Sequence, residues 1–342
     1  MGFVLECLAM RNLSCEEPSP QDPNTDSDRI VAASSFWHAD FIRLQVAQEH
    51  LFDQPPVDAA YLASLDHEVH QINSLGMVAS ITLQEEDFSG PPLPTQSAVR
   101  FWHVMAEHYK GTPGVFFDLF NEPRLAPTQG EDWMWAIWDR GGNVSTASAN
   151  GNFVGMQTLV DTIRAAGAAN VIVAEGNQHD TDLSELSSHL LHGSNIAYAT
   201  EPLLTARHDS PSAWDALFGR LADAVPIVMD GFRDYATGSC FRQSPTVLPE
   251  LFRFLHSHGL GLVVWTLAAG NLIVGNDLQK PTTYSGASQQ LCVPHTRHHT
   301  AKPVGSGLTY DPQTNVNGAG ADILDFFHSY ATQIPSSDLF TG

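Results

Sequence analysis

Val115-Phe-Phe-Asp-Leu-Phe-Asn-Glu-Pro123 is an apolar, strand-like run that stops at Asn121-Glu122-Pro123, leaving a carboxyl group where a buried strand meets solvent. The fold turns on what that strand belongs to. Similar short runs recur at residues 2–8, 41–46, 77–83, 171–174, 196–199, 227–230 and 260–267, which with 115–120 makes eight. Segments of helical period separate them, at 57–75, 97–109, 154–168, 212–224 and 246–258. Gly76, Gly167 and Gly259 follow such segments as C-terminal caps do, each a few residues before a strand.

Alternating β and α units need crossover helices, so a parallel sheet is predicted, and eight units can close into a (β/α)8 barrel, read here as one α/β domain over 1–342. A doubly wound open sheet is the rival. It would advertise a Gly-rich phosphate turn after an early strand, and the sequence has none. On a barrel, Glu122 stands at the C-terminal mouth, where strand ends converge on substrate. Long irregular insertions at 124–151, 231–244 and 268–319 fall on βα connections, which build that same face.

Composition narrows the partners. Hydrophobic residues at 43% against 16% charged place the chain among ordinary globular proteins rather than disordered ones. A formal charge of −22 repels phosphate backbones and anionic bilayers, so neither nucleic acid nor membrane is expected as a partner. No apolar run of about 18 residues and no leader-type N-terminus occurs, so the chain as it stands reads as soluble and cytoplasmic; a secreted protein whose leader has been removed would look the same. Four cysteines are too few for a disulfide scaffold, and a Cys240–Cys292 bridge is left open. His295 with Arg297-His298-His299 is the densest histidine cluster, but neighbouring loop histidines without a carboxylate partner rarely converge on an ion, so no metal site and no cofactor is expected. No Gly-x-Ser-x-Gly elbow is present.

The chain resembles the cellulase-like family 5 glycoside hydrolases of the retaining-glycosidase clan, and more closely one of that family's divergent subgroups. The stretches that carry the likeness are Ala39-Asp-Phe-Ile-Arg-Leu-Gln-Val46, Phe101-Trp102, Asp118-Leu-Phe-Asn-Glu-Pro-Arg124, Val154-Gly-Met-Gln157, Asn170-Val-Ile-Val-Ala-Glu-Gly176, Trp265, Gly270-Asn-Leu-Ile273 and Pro281-Thr. The resemblance implies that Glu122 is the general acid/base and that Asn121 hydrogen-bonds a sugar 2-hydroxyl. It implies that Arg43 orients a neighbouring carboxylate and that Trp265 offers a flat face to the sugar ring, with Gln84 kept at the end of strand three. A small-molecule or carbohydrate substrate follows.

One position departs from the pattern. Family members supply a nucleophilic Glu at the end of strand seven, and aligning Asp230-Gly231 with the subgroup's Asp-Gly-Glu-Trp puts Phe232 in its place. Strand six ends in Glu201-Pro202-Leu203 where a histidine sequence is usual. Three readings compete. Asp230, Glu201 or Asp234 replaces the nucleophile or serves as the base of an inverting reaction; the barrel runs a different acid/base reaction, a cyclisation, isomerisation or elimination, with Glu122 and Glu201; or it only binds a ligand. Two carboxyls from strands four and six lying close together would split their pKa values into an acid and a base. Phe232 and Tyr235 would narrow the pocket, and Trp133, Trp135 and Trp138 with Phe153 would either pave it or pack the strand-four insertion.

Overall fold

The structure, a computed structural model, describes residues 1–10, 15–17, 22–52, 54–84, 90–147, 149–201, 209–232, 244–268, 272–283, 292–293, 302–303 and 318–331. Eight parallel strands close into a barrel in sequence order: β1 (Gly2–Leu5), β2 (Phe41–Ala47), β3 (Val78–Gln84), β4 (Val115–Asp118), β5 (Ile172–Glu175), β6 (Ile196–Thr200), β7 (Ile227–Phe232) and β8 (Gly261–Val264), with β8 returning to β1 through Gly2↔Val263. The chain is a (β/α)8 barrel. Its surrounding helices include α1 (Asp26–Ser35), α2 (Ala59–Ser74), α3 (Gln96–Tyr109), α4 (Met156–Ala165), α5 (Ser244–Ser257) and α6 (Gly320–Ala331).

Apolar stripes set the helices, and side-chain caps fix the starts of α1 and α2. On α3, Ala98, Phe101, Trp102, Met105, Ala106 and Tyr109 recur at three- and four-residue steps and are all buried. The start of α1 is fixed by a capping box, in which the Thr25 hydroxyl accepts from the Asp28 amide while Asp28 accepts from Thr25. Asp58 caps α2 by accepting from the amides of Ala60 and Tyr61. Gly76, Gly167 and Gly259 have φ of 79°, 84° and 65°, the left-handed turn that ends a helix.

Boundaries differ from the sequence reading where side chains leave the ladder. β1 stops at Leu5 and β8 at Val264, and just beyond these ends the Trp265 indole donates to the Glu6 carboxylate. The strand-four insertion contains a helix, Glu131–Arg140, and a hairpin of Gly141–Ser145 with Asn150–Val154, neither visible in its Gly- and Asn-rich sequence. Trp135 and Trp138 of that helix are fully buried, so they pack the insertion rather than pave a cleft. A disulfide joins Cys7 to Cys15; Cys240 and the 295–299 histidines lie outside the described residues. Among the described residues, no helix is long and apolar enough to cross a membrane.

Partners in a parallel ladder share a face, and register therefore separates lumen from outer layer. Val4, Arg43 and Ser80 are in line across β1–β3, and Thr82, Asp118 and Val173 across β3–β5. Phe3 and Val264 pair on the opposite face, where Phe3 meets the Trp37 and Phe327 rings of the helical layer. The outer layer is apolar. The upper lumen, by contrast, carries Arg43, Gln45, Thr82, Asp118, Glu175 and Asp230, all buried.

Candidate functional site

Arg43 is the hub of the lumen. Its Nε donates to Asp118 Oδ2 at 2.9 Å and lies 3.4 Å from Asp230 Oδ2, while Nη2 donates to Asn121 Oδ1 at 2.9 Å and to Glu175 Oε1. Thr82 Oγ1 donates to the same Asp118 oxygen at 2.7 Å. Burial works against the Arg43 charge, but Glu175, Asp230, Asp118 and Glu201 outweigh it and hold the guanidinium well above its ordinary pKa. Oxygens of Asp118, Glu175 and Asp230 lie within 4.8 Å of one another, a spacing that suits a cation. The guanidinium already fills that role.

One buried cation cannot balance so many carboxylates, so protons must stay. Burial raises Glu175 and Asp180 well above the usual carboxylate range and pushes Asp230 to about 6. Desolvation is the largest cause for all three, and neighbouring carboxylates add to the rise of Glu175 and Asp180.

At the rim, Asn121 receives two donors on Oδ1, from Arg43 and from Gln45 Nε2, each at 2.9 Å, which orients its NH2 away from them. Glu122 follows in the left-handed region, φ 47°, and its amide donates to Glu175 Oε2 at 2.5 Å. Such a backbone is strained for a residue other than glycine, and the Glu175 carboxyl holds it. The Glu122 side chain is 17% exposed, with Oε2 3.4 Å from His179 Nδ1. The indoles of Trp102 and Trp138 brace this corner by donating to the carbonyls of Leu119 and Glu175.

Gly176 to Asp182 ties the strand ends together. Gln178, His179 and Asp180 all have φ between 53° and 61°, His179 donates its amide to Pro123 O at 2.9 Å, and Asp180 O accepts from Thr200 Oγ1 at 2.7 Å and from the Glu201 amide at 2.5 Å. Glu122 at the end of β4 and Glu201 at the end of β6 are thus held by one turn between them.

The end of β7 is irregular. Met229 is in register with Leu262 but Phe232 with Val264, so β7 carries one extra residue in a bulge at Asp230-Gly231. Phe232 therefore lies on the outer face with Val264 and is fully buried. The expectation that its ring lines the pocket is corrected by that slip. Gly231 faces Glu201 instead: a Cβ there would stand 1.9 Å from Glu201 Oε1.

Three expected binding positions remain. Gln84 ends β3 and is buried, Trp265 is half-buried beyond β8, and Tyr235 lies outside the described residues. Glu6 and His179 were missed by sequence reasoning. Trp265 Nε1 donates to Glu6 Oε2 at 2.9 Å, placing a further carboxylate at the mouth. Its signal was an acidic residue directly after the apolar Phe3-Val-Leu5, masked by reading the strand on to residue 8.

The sequence matches the cellulase family, glycosyl hydrolase family 5, over residues 11–217. No curated protein matches it significantly. Among solved structures, an endocellulase from Pyrococcus horikoshii bound to cellotetraose superposes with TM-score 0.64 at 11% identity, covering 96% of this chain and 92% of that one. A β-glucanase from Saccharophagus degradans gives 0.60 at 18% identity, with 82% and 84% covered. The catalytic domain of the major endoglucanase from Xanthomonas campestris pv. campestris gives 0.59 at 16%, with 97% and 94% covered. These likenesses establish the barrel, and the family match, which takes in the strand-two arginine, the Asn-Glu-Pro corner and the strand-six carboxylate over more than half of the sequence, establishes that the chain belongs to glycosyl hydrolase family 5.

Proposed function

We propose that the protein is a single-domain glycoside hydrolase acting on β-linked glucan-type substrates, with Glu122 as general acid/base and a non-standard second carboxylate drawn from Glu201 and Asp230. The observation that carries this reading is the presentation of Glu122: a rim carboxyl, partly exposed, on a backbone turn held by Glu175, above a lumen whose other carboxyls are buried. Asn121, locked by Arg43 and Gln45, would donate its NH2 to the sugar 2-hydroxyl. The half-buried Trp265 indole, held by Glu6, would stack on the sugar, and Gln84 completes the polar rim. The carbohydrate reading draws on the cellotetraose bound by the Pyrococcus horikoshii endocellulase. The Cys7–Cys15 bridge favours an oxidising compartment over the cytoplasm.

In the reaction, Glu122 gives its proton to the leaving glycosidic oxygen and later takes one from water. The test is turnover of aryl β-glycosides and β-glucans by wild type and Glu122→Gln. A loss of at least about a hundredfold is expected in the variant on natural glucans, where the leaving group needs its proton; a wild type inert across the whole panel would refute the assignment.

A further inference from the structure

We propose that Glu201 is the catalytic nucleophile, supplied to the lumen from β6 in the volume that a β7 side chain would otherwise occupy. The inference rests on Glu122 acting as the acid/base, and it names the partner that reading leaves open. The extra residue in β7 sends Phe232 to the outer layer and leaves Gly231, without a side chain, on the lumen side. A Cβ built there would lie 1.9 Å from Glu201 Oε1, 2.3 Å from Cδ and 2.7 Å from Cγ, so the carboxyl of one strand fills the place of the missing side chain of the next. A larger residue at 231 would meet that carboxyl and displace it. Glu201 is among the carboxylates that raise the Arg43 pKa, so its side chain stands within the field of that guanidinium.

The other carboxyls of the lumen lie around Arg43. Asp118 holds Arg43 Nε and Thr82, Glu175 holds Arg43 Nη2 and the Glu122 amide, and Asp230 Oδ2 lies 3.4 Å from Arg43 Nε. Glu201 is anchored through its own amide to Asp180 O, and its carboxyl lies against Gly231. In the first step a Glu201 oxygen bonds to the anomeric carbon as the bond to the leaving oxygen breaks, and that oxygen takes the Glu122 proton. In the second, water attacks the anomeric carbon, gives its proton to Glu122, and releases Glu201 as carboxylate.

Two experiments decide it. Incubation with 2,4-dinitrophenyl 2-deoxy-2-fluoro-β-cellobioside followed by peptide mass spectrometry should place the label on Glu201; a label on Asp230 or elsewhere would overturn the assignment. Glu201→Gln should lose at least about a hundredfold in turnover, and the swap Glu201→Gly with Gly231→Glu should regain at least about tenfold over Glu201→Gly alone. A swapped variant with wild-type circular dichroism and no recovery would count against the proposal. If Glu122→Gln is inactive while Glu201→Gln turns over normally, only the nucleophile assignment falls. A wild type that neither turns over nor labels would remove both assignments.

Discussion

Gly231 and Glu201 share one volume, and that makes their substitutions interdependent. Gly231→Ala forces a methyl group against the Glu201 carboxyl at 1.9 Å, which must move within a closely packed lumen. We expect a stability loss of about 1–3 kcal/mol in urea denaturation, the usual cost of overpacking. In a Glu201→Gly background the same change should cost much less, because residues in contact do not add. Equal losses in the two backgrounds would show that the carboxyl is not what the new methyl meets. At this scale Asn121-Glu122-Pro123 was legible from its chemistry, a polar stop on an apolar strand. The Glu201–Gly231 exchange was not, because a glycine says only that room is needed and never for what.

Among the elements, α2 carries the clearest conflict with its surroundings. Glu68 sits on the buried face with Tyr61, Leu65, Val69 and Ile72, and burial raises its pKa well above the ordinary value, with Asp26 and Glu16 adding to the rise. A raised carboxyl holds its proton in the folded state after the unfolded chain has lost it, so its burden grows as pH rises past the ordinary value of 4.5. Glu68→Gln keeps the shape and removes the charge. Its melting temperature should exceed that of wild type at pH 8, with the gap closing by pH 5; a variant no more stable at pH 8 would contradict this. Many element identities were readable because the strands are short apolar runs and several helices are amphipathic stripes, three of them followed by a left-handed glycine, whereas α1 and α6 were not read as helices. The bulge in β7 was hidden, since Ile227-Val-Met-Asp-Gly-Phe232 has the same composition whichever face its last ring takes. Likewise His179 reaches Glu122 only through three consecutive left-handed residues that no local pattern announces.

For the molecule as a whole, the excess of acid sets the response to pH. Asp26 and Asp230 are both pushed to about 6 by burial, and Glu68, Glu175 and Asp180 are raised well above their ordinary values. The folded protein therefore binds more protons than the unfolded chain once pH passes about 4, and stability should fall as pH climbs through 6 and beyond. The overall charge of −22 acts in the same direction through self-repulsion. Urea midpoints measured at pH 5, 6.5 and 8 should decrease in that order, and a higher midpoint at pH 8 than at pH 5 would contradict the account. The slip in β7 also warns protein engineers. Placing a glutamate where the sequence alignment expects one, as Phe232→Glu, would drive an anion between the barrel wall and its jacket of helices, where the ring now lies beside Val264. That variant should misfold or melt far below wild type and gain no hydrolytic rate, so motif repair in such barrels has to follow the pleat of the strand rather than the letters of the sequence.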